Sequence, residues 1–301
     1  MGKSIEEIIC GHLLSVYADD EKIAKYCGLP AIFNTKAPDD TDVFWESENQ
    51  YPRIIFELNM QADTERKVSG QLYIDVMCLN TMEDVSQEEM EAAVKTAVDG
   101  CLFSNQQMTI SAQWNRSDNF EQKDNEVVGM TLTFDVMAYP VQETQEPDPV
   151  LAVNLWMKTL YQSAYVIGRD TLPEVWKPTD ESPAFYCRLS GLSESTRIKS
   201  TAAVTWIGAD MNINIMAPSE QVRSTISKTL IQILTNATRL ILNDGSPMLI
   251  DKMTVKTAGD PLREGQIQIK ATYGVLNEYT GTTIKRAGFI GLHAEREVSN
   301  G

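Results

Sequence analysis

Two histidines, five cysteines and one tight acidic cluster are the residues of this chain whose types could do chemistry. His12 falls in an N-terminal amphipathic run and His293 near the end of the chain, so no HxH or HExxH metal pattern exists. A lone helical histidine reads as structural or exposed. Cys10, Cys27, Cys78, Cys101 and Cys187 are odd in number, widely spaced and without a CxxC pair. That predicts free thiols in a reducing compartment, not a zinc site or a disulfide framework. Asp39, Asp40 and Asp42 crowd into "PDDTD", but the glycine and distal glutamate of a calcium loop are missing. A solvated acidic turn is expected there. Nucleophile elbows, Walker A loops and GxGxxG turns are absent from the sequence. Asn115 and Asn236 match the glycosylation triplet, yet the N-terminal stretch lacks the apolar run of a secretion signal. The reading is therefore non-enzymatic, with no catalytic, cofactor-binding or metal residue assigned and no cofactor expected.

A repeated stretch is more informative. "VFWESENQYPRIIFEL" begins at Val43, and "VWKPTDESPAFYCRL" begins at Val175. Trp45 and Trp176 each stand seven residues before a proline, Pro52 and Pro183, and a leucine follows six residues later, Leu58 and Leu189. By loose alignment the intervening residues share only the acids Glu48 and Asp180, since Glu57 and Arg188 carry opposite charge. Packing and strand entry are the chemistry such residues offer: a large apolar indole, and a proline that fixes φ and removes a donor.

The elements that must position these stretches can be read from periodicity. Ile5 to about Tyr26 has helical spacing, "RIIFELNM" and "QLYIDVMCL" alternate as strands, and Ser86 to Glu89 forms a capping box before an amphipathic helix. "MTISAQW" and "VVGMTLTFDVMAYPV" complete this half as strands. "VQETQEPDPV" has linker composition. Beyond it the order recurs: an apolar helix, the second Trp-to-Leu stretch, "STAAVTWIGADMNINIMAP" as one long or two short strands, and a helix capped by Ser219 with Leu240 and Ile241 inward. Two final strands, "MLIDKMTVKT" and "GQIQIKATYGVL", follow it. The expected fold is α+β: two tandem α-β-β-α-β-β domains, each a small, mainly antiparallel sheet packed with two helices. The expected boundaries are 1–147, 148–280 and a C-terminal extension, 281–301.

Charge divides the chain the same way. The net charge is −16 over 301 residues, but residues 1–149 carry 10 Lys and Arg against 28 Asp and Glu, and the remainder 16 against 14. An acidic first half is a poor grip for a phosphate backbone, though it suits a surface that nucleic acid must pass without sticking. With 43% hydrophobic and 23% charged residues and no apolar run of about 20, no membrane span is expected.

"YPRIIFEL", "GQLYIDVMC", "SQEEMEAAVKTAVDGCLF" and "GMTLTFDVMAYP" resemble the tail-terminator (tail-completion) family of tailed bacteriophages. The likeness covers about residues 1–140 and, through the repeat, extends to about 150–278. It implies a virion structural protein, made in the bacterial cytoplasm, that forms a homo-oligomeric ring, usually sixfold. Such a ring caps the tail tube, ends its polymerisation and joins the tail to the head. Implied partners are the tube protein, the head-tail connector and, in a contractile tail, the sheath, with DNA passing the lumen unbound. Family members commonly carry one such domain and this chain carries two, which opens six-chain and three-chain rings alike. Loops 28–50 and 115–127 are candidate contacts, and Lys285, Arg286 and Arg296 are candidate inter-subunit clamps on an acidic neighbour. Two alternatives stand beside it: another neck or tube component, and a non-viral tandem pair binding a ligand between its halves.

Overall fold

The computed structural model describes residues 2–46, 50–61, 69–82, 87–122, 127–256 and 265–277. Helix α1 (Ile5–Val16) starts at a capping box in which Glu7 N donates to Ser4 Oγ and Ser4 N to Glu7 Oε2. It buries Ile5, Ile8, Ile9 and Leu13 on one stripe. The helical spacing expected to reach Tyr26 breaks at Tyr17, and the chain turns into a small hairpin, β1 (Lys25–Tyr26) and β2 (Leu29–Pro30). Helix α2 (Gln87–Val98) buries Met90, Val94, Ala97 and Val98; its expected cap, Ser86, lies outside the described residues.

The larger sheet contains β3 (Ile32–Asn34), β4 (Arg53–Met60), β5 (Ser69–Leu79), β6 (Leu102–Ser104), β7 (Met108–Gln122), β8 (Val127–Pro140) and β10 (Val175–Trp176). Their order is β10-β6-β7-β8-β5-β4-β3. After α3 (Pro149–Leu160) the second sheet is built from β9 (Tyr165–Val166), β11 (Ala184–Glu194), β12 (Val204–Met216), β13 (Arg239–Ile241), β14 (Pro247–Val255) and β15 (Ile267–Leu276). Their order is β13-β14-β15-β12-β11-β9, and α4 (Glu220–Ala237) separates β12 from β13. Among the described residues only β3 on β4 and β9 on β11 pair in parallel; all other pairs are antiparallel.

This corrects the expectation of two small α-β-β-α-β-β domains. The described residues are mostly β, 43% strand against 22% helix, in two curled half-barrel sheets with four helices. Two physical effects hid the extra strand. Short strands sit where composition suggests loop: β3 and β10 lie among Pro and Asp residues, and β13 follows Thr238, whose φ of 53° ends α4. Leu240 therefore faces a core from a strand, and Ile241, expected inward on the helix, is 58% exposed. Long strands also outrun their apolar pattern. β7 continues through the polar residues Asn115–Gln122 because β8 supplies a hydrogen-bonding partner along its length. The expected loop 115–127 is thus largely strand.

Laid side by side, the sheets repeat one strand order. Each runs from a short parallel strand (β3, β9) through two long antiparallel ones (β4-β5, β11-β12) to a hairpin (β8-β7, β15-β14) and a short edge strand (β6, β13). One core cluster draws its buried residues from Ile5 to Ala138, and a second from Val150 to Tyr273. A third joins the halves: Leu102, Met137 and Tyr139 pack against Ile167, Ala184, Tyr186 and Met216.

The tip of the β7-β8 hairpin depends on one close approach. Phe120 lies across Gly129, where a Cβ would fall 2.3 Å from the Phe120 ring and 2.7 Å from the Val76 carbonyl oxygen. Phe120 packs there against Tyr51, Met77 and Val127. Gly129→Val is expected to cost about 2 kcal/mol, since overpacking forces backbone or ring to shift. Gly11→Ala, on an open helix face, should instead gain a few tenths of a kcal/mol to about 1. Thermal unfolding of the two variants tests the contrast, and equal midpoints would refute it.

Candidate assembly interface

Among the described residues His12, the acidic turn and every cysteine but the exposed Cys27 are taken up in the structure. His12 Nε2 lies 2.9 Å from the Ala97 carbonyl and its ring stands edge-on to Phe103 at 5.8 Å, so it fastens α1 to the end of α2. All five cysteines are free thiols. Burial pushes the Cys78 thiol up to about 11, raises those of Cys10 and Cys101, and raises that of Cys187 furthest. Thiols held protonated are poor nucleophiles. The acidic turn is a folded corner: Asp40 pairs with Arg53 at 2.6 Å, Asp42 Oδ1 accepts from Phe44 N, and the Asp39 carbonyl accepts from Trp45 Nε1. Among the described residues no three His, Cys, Asp or Glu side chains gather as metal ligands, and no helix is long and apolar enough to cross a membrane. An open groove of about 700 Å³ runs from the N-terminus of α1 past Leu58, Met60 and Met108, but the α1 cap is already closed by Ser4 and Glu7.

Tyr17 is buried with a hydroxyl that has no partner among the described residues. Burial, aided by the nearby Asp20 carboxylate, pushes its phenol up to about 12. A folded value above the unfolded one, near 10, leaves its contribution intact below about pH 10. The contribution is then lost as pH rises toward 12. Tyr17→Phe should flatten alkaline unfolding in that window and cost less than about 1 kcal/mol at pH 7, because it deletes an unpaired hydroxyl. Urea titrations at neutral and alkaline pH test this; an unchanged pH dependence would exclude it.

What remains is the contact between the halves. β10 adds to the outer edge of β6, with Val175 opposite Phe103 and Trp176 opposite Leu102. Ser104 N donates to the Glu174 carbonyl at 2.8 Å, and Lys3 pairs with Glu174 at 2.7 Å. Lys177 Nζ donates to the Thr96 carbonyl at the end of α2. The segment read as a linker is bonded on both sides. Val141 N donates to Gln107 O, Gln142 N to Gly168 O, and Gln142 Nε2 to Cys187 O at 2.6 Å. Gly168 has φ of +82° and approaches the Pro140 carbonyl so closely that a Cβ would lie 2.9 Å from it. Asp148 caps α3 through Leu151 N and pairs at 2.8 Å with Arg169, the carboxylate buried and the guanidinium largely covered. A Pro at the first helical position after an Asp was a legible cap signal that composition masked.

The repeated stretches meet different partners. Pro52 and Pro183 are buried just before β4 and β11, and their carbonyls accept from Ala24 N and Tyr165 N. Trp45 and Trp176 each pack edge-to-face on a tyrosine, Tyr26 at 5.1 Å and Tyr165 at 4.9 Å. Trp45 bridges to Tyr26 within its own half, whereas Trp176 lies in β10 on the other half's sheet. Leu58 packs against the first core, while Leu189 is 36% exposed beside a bulge in β11. Lys285, Arg286, Arg296 and the extension 281–301 lie outside the described residues. Exposed apolar residues the sequence reading passed over cluster near Trp45, with Val43 88% and Phe44 58% exposed. No family model matches this chain, and no curated protein matches it.

Proposed function

We propose that the chain is a structural component of a phage neck or tail, forming a ring that caps the tail tube, ends its growth and joins it to the head. One observation supports the reading above others: two sheets of the same strand order stand in tandem, the second half lends β10 to the outer edge of β6 in the first, and among the described residues the counterpart strand β13 ends its sheet. A tandem built in this way has the makings of a segment of a larger circular array, and it suggests that the second half arose as a copy of the first. The junction-building residues are aromatic, aliphatic and hydrogen-bonding, as in stable interfaces, and Cys78, Cys101 and Cys187 are buried. The excess of 28 Asp and Glu over 10 Lys and Arg in residues 1–149 suits a lumen past which DNA slides. The partners proposed are copies of itself, the tube protein and the head-tail connector, with the sheath as a further neighbour in a contractile tail. The site of action is the virion, after synthesis in the bacterial cytoplasm.

The test is assembly. Purified chain, alone and with polymerising tube protein, is followed by light scattering and negative-stain imaging. Rings that shorten the tubes and sit at one end support the reading. Tubes of unchanged length beside a chain that stays monomeric would remove it.

A further inference from the structure

We propose that copies of this chain associate head to tail, Val43–Trp45 of one copy adding to the outer edge of β13 in the next as β10 adds to β6 within the chain. The proposal deepens the ring reading above and rests on it for its setting. Its acceptor follows from the strand order. β6 and β13 are the same strand of the two sheets, and the hydrogen bonds from Ala112 N to Cys101 O and from Ile250 N to Thr238 O fix their alignment. Leu102, Phe103 and Ser104 thereby correspond to Arg239, Leu240 and Ile241. Phe103 and Leu240 both face their own cores. Leu102 and Ser104 are buried under the second half, at 1% and 6% exposure, whereas Arg239 and Ile241 are exposed. Among the described residues β13 ends its sheet, an edge without the strand that covers its counterpart.

The donor is displayed by the first half. Trp45 and Trp176 each stand eight residues before the strand they introduce, β4 and β11. Cys27 N donates to Phe44 O, and Glu46 N donates to Lys25 O, so these groups face the small hairpin. In an antiparallel bridge flanked this way, the N–H and C=O of Trp45 itself point to the opposite edge. Transferring the register of β10 on β6 sets Trp45 opposite Arg239, Phe44 opposite Leu240 and Val43 opposite Ile241. Val43 and Ile241, 88% and 58% exposed in the single chain, would cover each other. The indole would meet a guanidinium on the same face, an attractive pairing. The charge split favours this partner choice. A first half with 28 acidic and 10 basic residues repels its own kind and accepts a second half with 14 and 16. A heterologous contact of this type closes into a ring when its rotation permits. Each chain then contributes two like units, so a ring of n chains presents 2n of them.

The full-length chain, Ile241→Glu, Arg239→Glu and the double variant Val43→Lys with Ile241→Glu are compared by sedimentation over a wide concentration range. The parent is expected to form a species larger than a dimer. Ile241→Glu and Arg239→Glu, both at exposed positions, should leave the thermal midpoint unchanged and weaken association about tenfold or more. The double variant should recover most of the association lost by Ile241→Glu, because Val43 and Ile241 face each other and each chain carries both sides of the contact. A parent ring that is indifferent to all three changes overturns this surface and leaves the ring reading standing. A two-copy assembly that grows no further also overturns it. A parent that stays monomeric, alone and beside tube protein, removes both.

Discussion

Asp148→Ala is expected to destabilise the chain by about 3–5 kcal/mol, the scale of breaking a buried ion pair from one side. Asp148 Oδ1 accepts from Leu151 N at 2.8 Å, and its Oδ2 accepts from Gln145 N and from Arg169 Nη2. Arg169 in turn donates through Nη1 to Thr144 Oγ1, and Asn243, in the turn between β13 and β14, accepts from Asp148 N. One carboxylate therefore starts α3, closes the connecting segment and neutralises a guanidinium that is only 13% exposed. Alanine removes a cap, worth about 1 kcal/mol. It also strands the Arg169 charge away from water, which is the larger part. Asp148→Asn separates the two, because an amide oxygen can still cap Leu151 N while the charge is gone. Its expected loss lies between zero and that of alanine. Denaturant titration of the three proteins measures both steps. Screening by salt should be weak, since the pair is buried. A loss below about 1 kcal/mol for alanine would show that Arg169 finds water or another acceptor.

How much of this was legible in the sequence depends on which residues carried the information. The buried faces of β5 and β8 were readable because Leu72, Ile74, Val76 and Cys78, and Met130, Leu132, Phe134 and Val136, alternate strictly. Helices α1 and α2 were readable from their stripes, and α4 from Ser219, whose Oγ accepts from Val222 N. The fold class was not readable, because its extra strand content has no apolar signature. The outer part of β7, from Asn115 to Gln122, is held by main-chain bonds to β8, and main-chain bonding leaves no mark on side-chain periodicity. β10 is two residues long and owes its existence to an edge in the other half, a tertiary circumstance that local pattern cannot contain.

The junction was hidden for a related reason. "QETQEPDP" has the proline and acid content of a flexible spacer, yet Gln142, Asp148 and Pro149 are bonded or buried. Linker composition predicts solvent exposure only when neither flanking unit offers a surface. Here Gly168 and Cys187 present carbonyls to Gln142, and Arg169 presents its charge to Asp148. The recurrence of Trp45 and Trp176 was visible from the start. That one would serve its own half and the other its neighbour's edge could be seen only once the sheets were in place.

Tyr186→Ala is the second substitution expected to have a large effect, and its effect should differ in kind from that of its neighbour. Along β11 successive side chains point to opposite faces. Phe185 enters the second core, fully buried and 5.5 Å from the Tyr161 ring, while Tyr186 enters the cluster between the halves, 5.0 Å from the Tyr139 ring. Both truncations remove a buried aromatic, a change that costs about 3–5 kcal/mol. Phe185→Ala should take that loss from the second half. Tyr186→Ala should take it from the coupling, since Tyr139, Met137 and Leu102 lose the ring that covers them from the other side. The expected calorimetric result is two separated transitions for Tyr186→Ala and a lowered midpoint with the halves still coupled for Phe185→Ala. Proteolysis should then cut Tyr186→Ala within residues 141–147, which the parent protects by bonding Gln142 to Gly168 and Cys187. One transition and an uncut segment in Tyr186→Ala would mean that strand pairing of β10 on β6 and the Asp148–Arg169 pair hold the halves without the aromatic cluster. In that event two main-chain rungs and a buried charge would be the transferable part of the junction, and the edge of β13 could accept a neighbour with no aromatic cluster of its own.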